Sequence, residues 1–182
     1  MSFDIPLFPL QTVLFPGGSL ALKIFEQRYM DMASACMRDG LPFGVCLIAR
    51  GDEVARPGAS AVEPHPVGTL ARISQWDMAQ LGVLQVVAQG DERFRIVDRR
   101  VEPSGLIRAR IAPIPPEPAM AVPAPLARLV LLLQAVIEDL GERAPAPPHR
   151  FADAAWVGFR WCEVLPIPLV ARQKLLELED SI

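Results

Sequence analysis

Two histidines, three cysteines and the lysines Lys23 and Lys174 are the side chains from which this chain could build a nucleophile, a proton shuttle or a metal cage. Their spacing supports none of these. His65 lies between two prolines and His149 follows two more, so both read as loop residues with no nucleophile beside them. No Gly-x-Ser-x-Gly elbow occurs. A serine–lysine dyad would have to use Lys23, in an alternating strand pattern, or Lys174, in a terminal helix, and both read as solvated. Neither lysine follows a glycine, which excludes a Walker phosphate loop. Gly17-Gly18-Ser19 precedes a strand rather than a helix, so no helix N-terminus would face an anion there. Cys36, Cys46 and Cys162 show neither a Cys-x-x-Cys pair nor ligand-like spacing with the histidines. Each sits in an apolar run, where a free thiol acts as a small hydrophobe, and an odd number of them fits a reducing compartment. No catalytic, metal or cofactor set is assigned, and no cofactor is expected.

Nucleic acid is the next chemistry to weigh. Arg93, Arg95, Arg99, Arg100, Arg108 and Arg110 could line one sheet face, but Asp91, Glu92, Asp98 and Glu102 are interleaved with them. That is the pattern of a salt-bridged surface, and the formal net charge is −3. An RNA-binding sheet is kept as the alternative. Of 18 cationic side chains only two are lysines, which suits arginine's multi-donor chemistry but equally a genome biased towards arginine and alanine.

A chain of 182 residues, at about 150 per domain, predicts one domain or one with an appended lobe. With 51% hydrophobic and 21% charged residues and a mean hydropathy of +0.27, it is too apolar for disorder. Met1-Ser2-Phe3-Asp4 does not open a secretory signal, and the longest apolar run is too short to span a bilayer. A cytoplasmic protein without membrane association is expected.

Proline, 19 residues, acts as punctuation. Residues 3–8 read as an edge strand, because Pro6 interrupts them. Pro16-Gly17-Gly18 reads as a turn, and residues 20–25 as an alternating strand. Residues 26–39 switch to helical spacing through Tyr29, Met32, Ala33, Cys36 and Met37, and Gly40 stops them. Strands are predicted over 43–49, 67–73, 83–88, 94–101 and 106–111, with Gly82, Gly90 and Pro103-Ser104-Gly105 between the later ones. Arg93, Arg95 and Arg99 read as the solvated face of one strand and Phe94, Ile96 and Val97 as its buried face. A stiff proline-rich spacer covers 113–125. Helices follow over 126–140 and 151–165, the latter burying Ala155, Trp156, Phe159 and Cys162. A short last helix carries Ala171, Leu175 and Leu178 on one face. Strands first and helices last make an α+β fold.

Several segments resemble, in one order, the Lon protease N-terminal, substrate-recognition domain. They are Pro6-Leu7-Phe8-Pro9-Leu10, Val13-Leu14-Phe15-Pro16-Gly17, Leu22-Lys23-Ile24-Phe25-Glu26-Gln27-Arg28-Tyr29, and Val67-Gly68-Thr69-Leu70-Ala71-Arg72-Ile73. Gly90 with Arg93-Phe94-Arg95-Ile96, and Gln173-Lys174-Leu175-Leu176-Glu177, continue the match. The resemblance implies a PUA-like twisted β pseudo-barrel over 1–118, with one helix near 26–39, followed by a small C-terminal helical lobe over 119–182. Full Lon continues into an ATPase and a serine–lysine peptidase. This sequence ends at Ile182 before either, so it resembles the free-standing, uncharacterised bacterial Lon-domain proteins, and proteolysis is not expected to carry over.

Phe15, Pro16, Gly17, Phe25, Glu26, Arg28, Tyr29, Gly68, Arg93 and Phe94 carry the family pattern and read as fold-specifying. Glu26 and Arg28 would pair with other strands, or Glu26 would cap the following helix. More distinctive is the connection over 74–82, where family members usually carry polar residues and this chain places Trp76, Met78 and Leu81. Either Trp76 folds back over the sheet, or the three form an exposed adhesive tip. The expected function is a non-catalytic protein-binding module of protein quality control, holding exposed hydrophobic segments of unfolded or partly folded polypeptides, with edge-strand pairing as a supplement. A separate protease is a candidate partner. A small-molecule enzyme using the barrel–lobe cleft is the second alternative, and the oligomeric state is left open.

Overall fold

The structure, a computed structural model, describes residues 2–58 and 60–179, so the outer ends of the expected 1–118 and 119–182 units lie outside the described residues. Seven strands and one helix come first: β1 (Phe3–Leu10), β2 (Ser19–Ile24), α1 (Gln27–Asp39), β3 (Phe43–Arg50), β4 (Glu63–Pro64), β5 (Val67–Gln80), β6 (Val83–Val101) and β7 (Ile107–Pro113). Three helices follow, α2 (Ala127–Leu140), α3 (Ala154–Val164) and α4 (Leu169–Glu177). The fold is α+β, a PUA-like pseudo-barrel with its helical lobe at the C-terminal end.

Strands β1, β7, β6, β5 and β3 follow one another and β3 pairs back to β1, which closes the barrel. The β1–β3 contact is parallel and the other pairings of this ring are antiparallel. Thus β1 is not the edge strand its prolines suggest. Its first half, Phe3 to Leu7, pairs with β7 and its second, Leu7 to Leu10, with β3. Pro6 and Pro9 each fall where one side of the strand is unpaired, and such a segment tolerates a missing N–H. Inside the ring pack Ile5, Leu7, Cys46, Leu70, Phe94, Ile107, Ala109 and Ile111. Helix α1 buries Tyr29, Met32, Ala33 and Cys36 against a second cluster that includes Phe8, Phe43 and Leu84, and it ends at Gly40.

Two strands run much further than their glycines and polar residues suggest. β6 is one 19-residue strand, and Gly90 lies inside it rather than ending it. The missing side chain is a close-approach requirement, since a Cβ on Gly90 would collide with the Phe15 carbonyl oxygen. The turn after Phe15 docks there through Gly17 N–H to Gly90 O (2.9 Å) and Gly90 N–H to Gly18 O (2.8 Å). Asp91 and Glu92 are therefore strand residues and not a turn. β5 likewise continues to Gln80, so most of 74–82 is strand and only Leu81-Gly82 turns the chain. Beyond the barrel, β2, β6 and β5 form a three-stranded platform with β6 in the middle.

The helical faces also differ in part from expectation. α3 begins at Ala154, capped by the Asp153 carboxylate, and buries Ala154, Trp156, Val157 and Arg160. α4 buries Gln173 and Leu176, while Leu178 is exposed beyond its end. In β6 Val97 is exposed and Arg93 is buried, the reverse of the faces expected for them.

Candidate functional site

The platform presents the residues singled out from the sequence. Trp76 is 63% exposed, Met78 42% and Leu81 95%, so Trp76 does not fold back over the sheet. A register irregularity between Ile73 and Gln75 resets the alternation of β5. Directly opposed residues of an antiparallel ladder share a face. Trp76 therefore shares the face of Val86 and Leu22, its neighbours across the platform. Phe25, 58% exposed just past the end of β2, lies at the same end of the platform as the Leu81-Gly82 turn. Trp76 is held on a paired rung of the hairpin, with little backbone freedom to lose, while Met78 lies in the irregular stretch between Asp77 and Gln80 and Leu81 in the turn.

The opposite face carries the rows Ala21–Val87–Gln75 and Lys23–Gln85–Asp77. A groove of 330 Å³ is lined by residues of 21–23, 75–77 and 85–87. A 770 Å³ cleft shares Ala21, Gln75 and Val87 with it and runs on to the 140–146 segment, Glu163, Val164 and Arg172 of the lobe. Gln89 donates its amide to Ser19 Oγ at 3.3 Å on this side.

The lobe is joined to the barrel by the Phe-Pro-Gly segment. Phe15 is fully buried with its ring 5.6 Å from that of Phe159. The turn at Gly17 has φ 74°, which favours glycine, and a Cβ there would press on the Arg160 guanidinium and Trp156. Arg160 has no exposed surface. Its Nη2 donates to Pro16 O (2.8 Å) and to Glu163 Oε1 (2.9 Å), its Nε lies 2.8 Å from Glu163 Oε2 as an ion-pair contact, and its guanidinium lies 5.4 Å from the Trp156 ring centroid. Burial pushes the Glu163 carboxyl up and makes Arg160 easier to deprotonate, outweighing their mutual attraction at both ends. Two more ties cross the joint. Gln173 Nε2 donates to Val67 O at 3.0 Å, and Arg93 Nη1 donates to Leu176 O at 2.9 Å and to Leu178 O. Arg93, expected on a solvated face, is buried because the lobe covers it, and Glu117 approaches it at 3.6 Å.

The remaining pattern residues take structural places. Glu26 occupies the N-cap of α1, but its carboxylate makes no capping hydrogen bond and binds Arg28 instead (Nη2 at 3.0 Å, Nε at 3.1 Å). Arg28 also donates to Gly105 O (2.9 Å) and lies over the Tyr29 ring. Burial pushes the Tyr29 hydroxyl up to about 12. A side chain on Gly68 would run into the Val45 carbonyl and the ring of the fully buried Phe94.

The chemistry-bearing side chains stay apart. Among the described residues no group of three or more His, Cys, Asp or Glu is placed to hold a metal ion. Burial pushes the Cys46 thiol up to about 12 and raises Cys36 and Cys162 as well, which disfavours the thiolate that a nucleophile needs. His149 meets the Phe151 ring edge-on at 5.5 Å and lies tilted against Trp156 at 5.8 Å, with Nε2 2.9 Å from Pro145 O. Most arginines of the sheet have acidic partners. Arg100 grips Asp4 with two 2.9 Å hydrogen bonds, Arg108 meets Glu102 (2.8 Å) and Asp4 (3.4 Å), and Arg95 reaches Glu179 (4.0 Å).

A closed barrel, a docked helical lobe and an open strand platform define a PUA-like β-barrel domain. Residues 4–181 match the model of the ATP-dependent protease La (LON) substrate-binding domain. The chain belongs to that family. The Lon N-terminal domain protein from Xanthomonas campestris has the same fold, with 31% identity and a TM-score of 0.77 over 98% of this chain and 92% of that one. The N-terminal domain of a Mycobacterium avium complex Lon protease shares the fold at 15% identity, with a TM-score of 0.64 over the same shares of the two chains. Lon protease 2 of Herpetosiphon aurantiacus is 28% identical over 97% of this chain, and that of Myxococcus xanthus 32% over 59%. The chain spans 12–22% of the length of the curated Lon proteases it matches. The matched module is the non-catalytic, substrate-binding part of Lon. No helix among the described residues is long and apolar enough to cross a membrane.

Sequence reasoning missed Arg160, Glu163 and Gln173, which sit in otherwise ordinary helical stretches, and it missed the groove, which depends on register. The one available signal was a charged residue inside the apolar run from Trp156 to Trp161.

Proposed function

We propose that this domain binds exposed hydrophobic segments of unfolded or partly folded polypeptides at the apolar end of its platform, without turnover of its own. The observation that carries the reading is the exposure of Trp76, Met78 and Leu81 on a paired hairpin, in a family named for substrate binding. An aromatic side chain buries 150–250 Å², so covering the exposed part of Trp76 contributes about 2–4 kcal/mol at about 25 cal/mol per Å². Met78 adds an adaptable contact and Leu81 a fully available one. The barrel unit, 1–118, presents this surface, and the lobe, 119–182, closes over the other end of the barrel. Captured chains would pass to a separate protease of cytoplasmic quality control.

The test is titration of a fluorescein-labelled, permanently unfolded protein into the domain. Binding at micromolar concentration, weakened about tenfold or more in Trp76→Ala and further in the Trp76→Ala/Leu81→Ser double variant, is expected. Equal binding by wild type and double variant would remove the tip from the mechanism.

A further inference from the structure

The groove bordered by Ala21, Gln75, Gln85 and Val87, whose lining also includes Leu22, Trp76 and Val86, is a surface of another kind. We propose that the groove over Ala21, Val87, Gln75 and Gln85 holds an uncharged segment of extended polypeptide, whose main chain is read by the glutamine amides. This deepens the polypeptide-binding reading above and rests on it, but it assigns a second, chemically different subsite.

Three observations fit that occupant. The floor is small at its middle, with Ala21 opposite Val87, and is flanked by Gln75 and Gln85, so a chain can approach the sheet closely. Among the described residues the side-chain amides of Gln75 and Gln85 have no hydrogen-bond partner, and each offers donors and an acceptor suited to peptide groups, which also carry one of each. The rows from Ser19–Gln89 to Lys23–Gln85 span four residues of β2, about 13 Å at 3.3 Å per residue, and the cleft continues to the lobe. A trough of this length suits a strand better than a compact ligand.

The charges of the lining balance. Lys23, Arg143 and Arg172 line the groove and cleft together with Asp77, Glu142 and Glu163, so no net field gathers phosphates or a strongly charged peptide. Lys23 and Asp77 flank Gln85 from either side in one row. A neutral segment avoids leaving either of them beside a like charge. Amide contacts to the main chain tolerate many sequences, while the apolar tip supplies the preference for hydrophobic side chains. The groove and the apolar tip of one platform, which meet at Trp76, thus divide main-chain and side-chain recognition.

The test uses the full chain and a fluorescein-labelled 12-residue peptide of Ala, Ser, Gln, Leu and Val, with a copy N-methylated at alternate residues. Anisotropy is expected to show the N-methylated copy bound about tenfold more weakly, since its donors are blocked. Ala21→Trp, at an exposed position, fills the groove and is expected to weaken the plain peptide at least tenfold; Gln85→Leu, which adds no bulk, weakens it severalfold. Wild-type affinity in both variants, with weakening in Trp76→Ala, overturns the groove and leaves the tip standing. No binding of the plain peptide by the wild-type protein overturns the groove, while the tip stands or falls by the unfolded-protein titration above. An Ala21→Trp variant that binds peptide normally but loses an uncharged-peptide-independent activity, either self-association in sedimentation or binding of a 12-nucleotide single-stranded RNA, assigns the groove to that partner and overturns the proposal.

Discussion

Replacing Arg160 by Met tests the joint between barrel and lobe. The change removes the donor to the Pro16 carbonyl, the partner of the Glu163 carboxylate and the cation beside Trp156, while retaining most of the buried volume. Removing one member of a buried ion pair costs about 3–5 kcal/mol, because the other charge is left uncompensated. Glu163 keeps about a quarter of its side chain exposed (26%), and Arg172 also acts on it, which places the expected loss near the lower end, about 3 kcal/mol. For a chain of this size that is a fall in Tm of about 6–12 °C, out of a total stability of about 5–15 kcal/mol. Urea denaturation followed by tryptophan fluorescence reads it, because Trp156 sits at the joint. The Arg160→Met/Glu163→Leu double variant removes both charges, and such replacements are often neutral or stabilising. It is therefore expected to be more stable than Arg160→Met alone. A loss below about 1 kcal/mol in the single variant, or a double variant equal to the sum of the two singles, would refute the reasoning.

The Glu163 carboxyl is raised above its ordinary value of 4.5 on folding, so its contribution to stability is fully present below pH 4.5 and is lost as pH rises through the raised value. The urea midpoint of wild type relative to Glu163→Gln should therefore fall as pH rises above 4.5; a constant difference would contradict this. Gly90→Val places a side chain against the Phe15 carbonyl and should cost about 1–3 kcal/mol in thermal melts, an unchanged Tm showing that the strand does not bear on that turn.

Local signals reached the sequence reading well where spacing and punctuation agreed. Helix α1 was legible because Tyr29, Met32, Ala33 and Cys36 repeat at helical steps and Gly40 ends them. The apolar trio at the tip was legible as a departure from a polar connection, though whether Trp76 lay in or out was not, since that depends on the irregularity after Ile73. Gly90 misled, because a glycine chosen for the approach of another chain segment looks the same in sequence as one that makes a turn. Pro6 misled in the same way, since an unpaired side can occur within a strand that is paired along both halves. Arg93 and Arg160 look like surface residues, and only the docking of the lobe buries them. Gln173 is buried in α4 because its amide meets the Val67 carbonyl, a long-range match that helical periodicity does not contain.

Strand β6 passes from the hairpin turn, across the Gly17–Gly18 contact at Gly90, and on into the barrel wall without a break. From Val83 to Gly90 it runs about 23 Å. A pull on the tip would therefore act through a rigid arm with its fulcrum beside the lobe, rather than being absorbed in a slack loop. A load on the tip would be passed by this arm to the Gly17–Gly18 contact and, through Pro16, to Arg160.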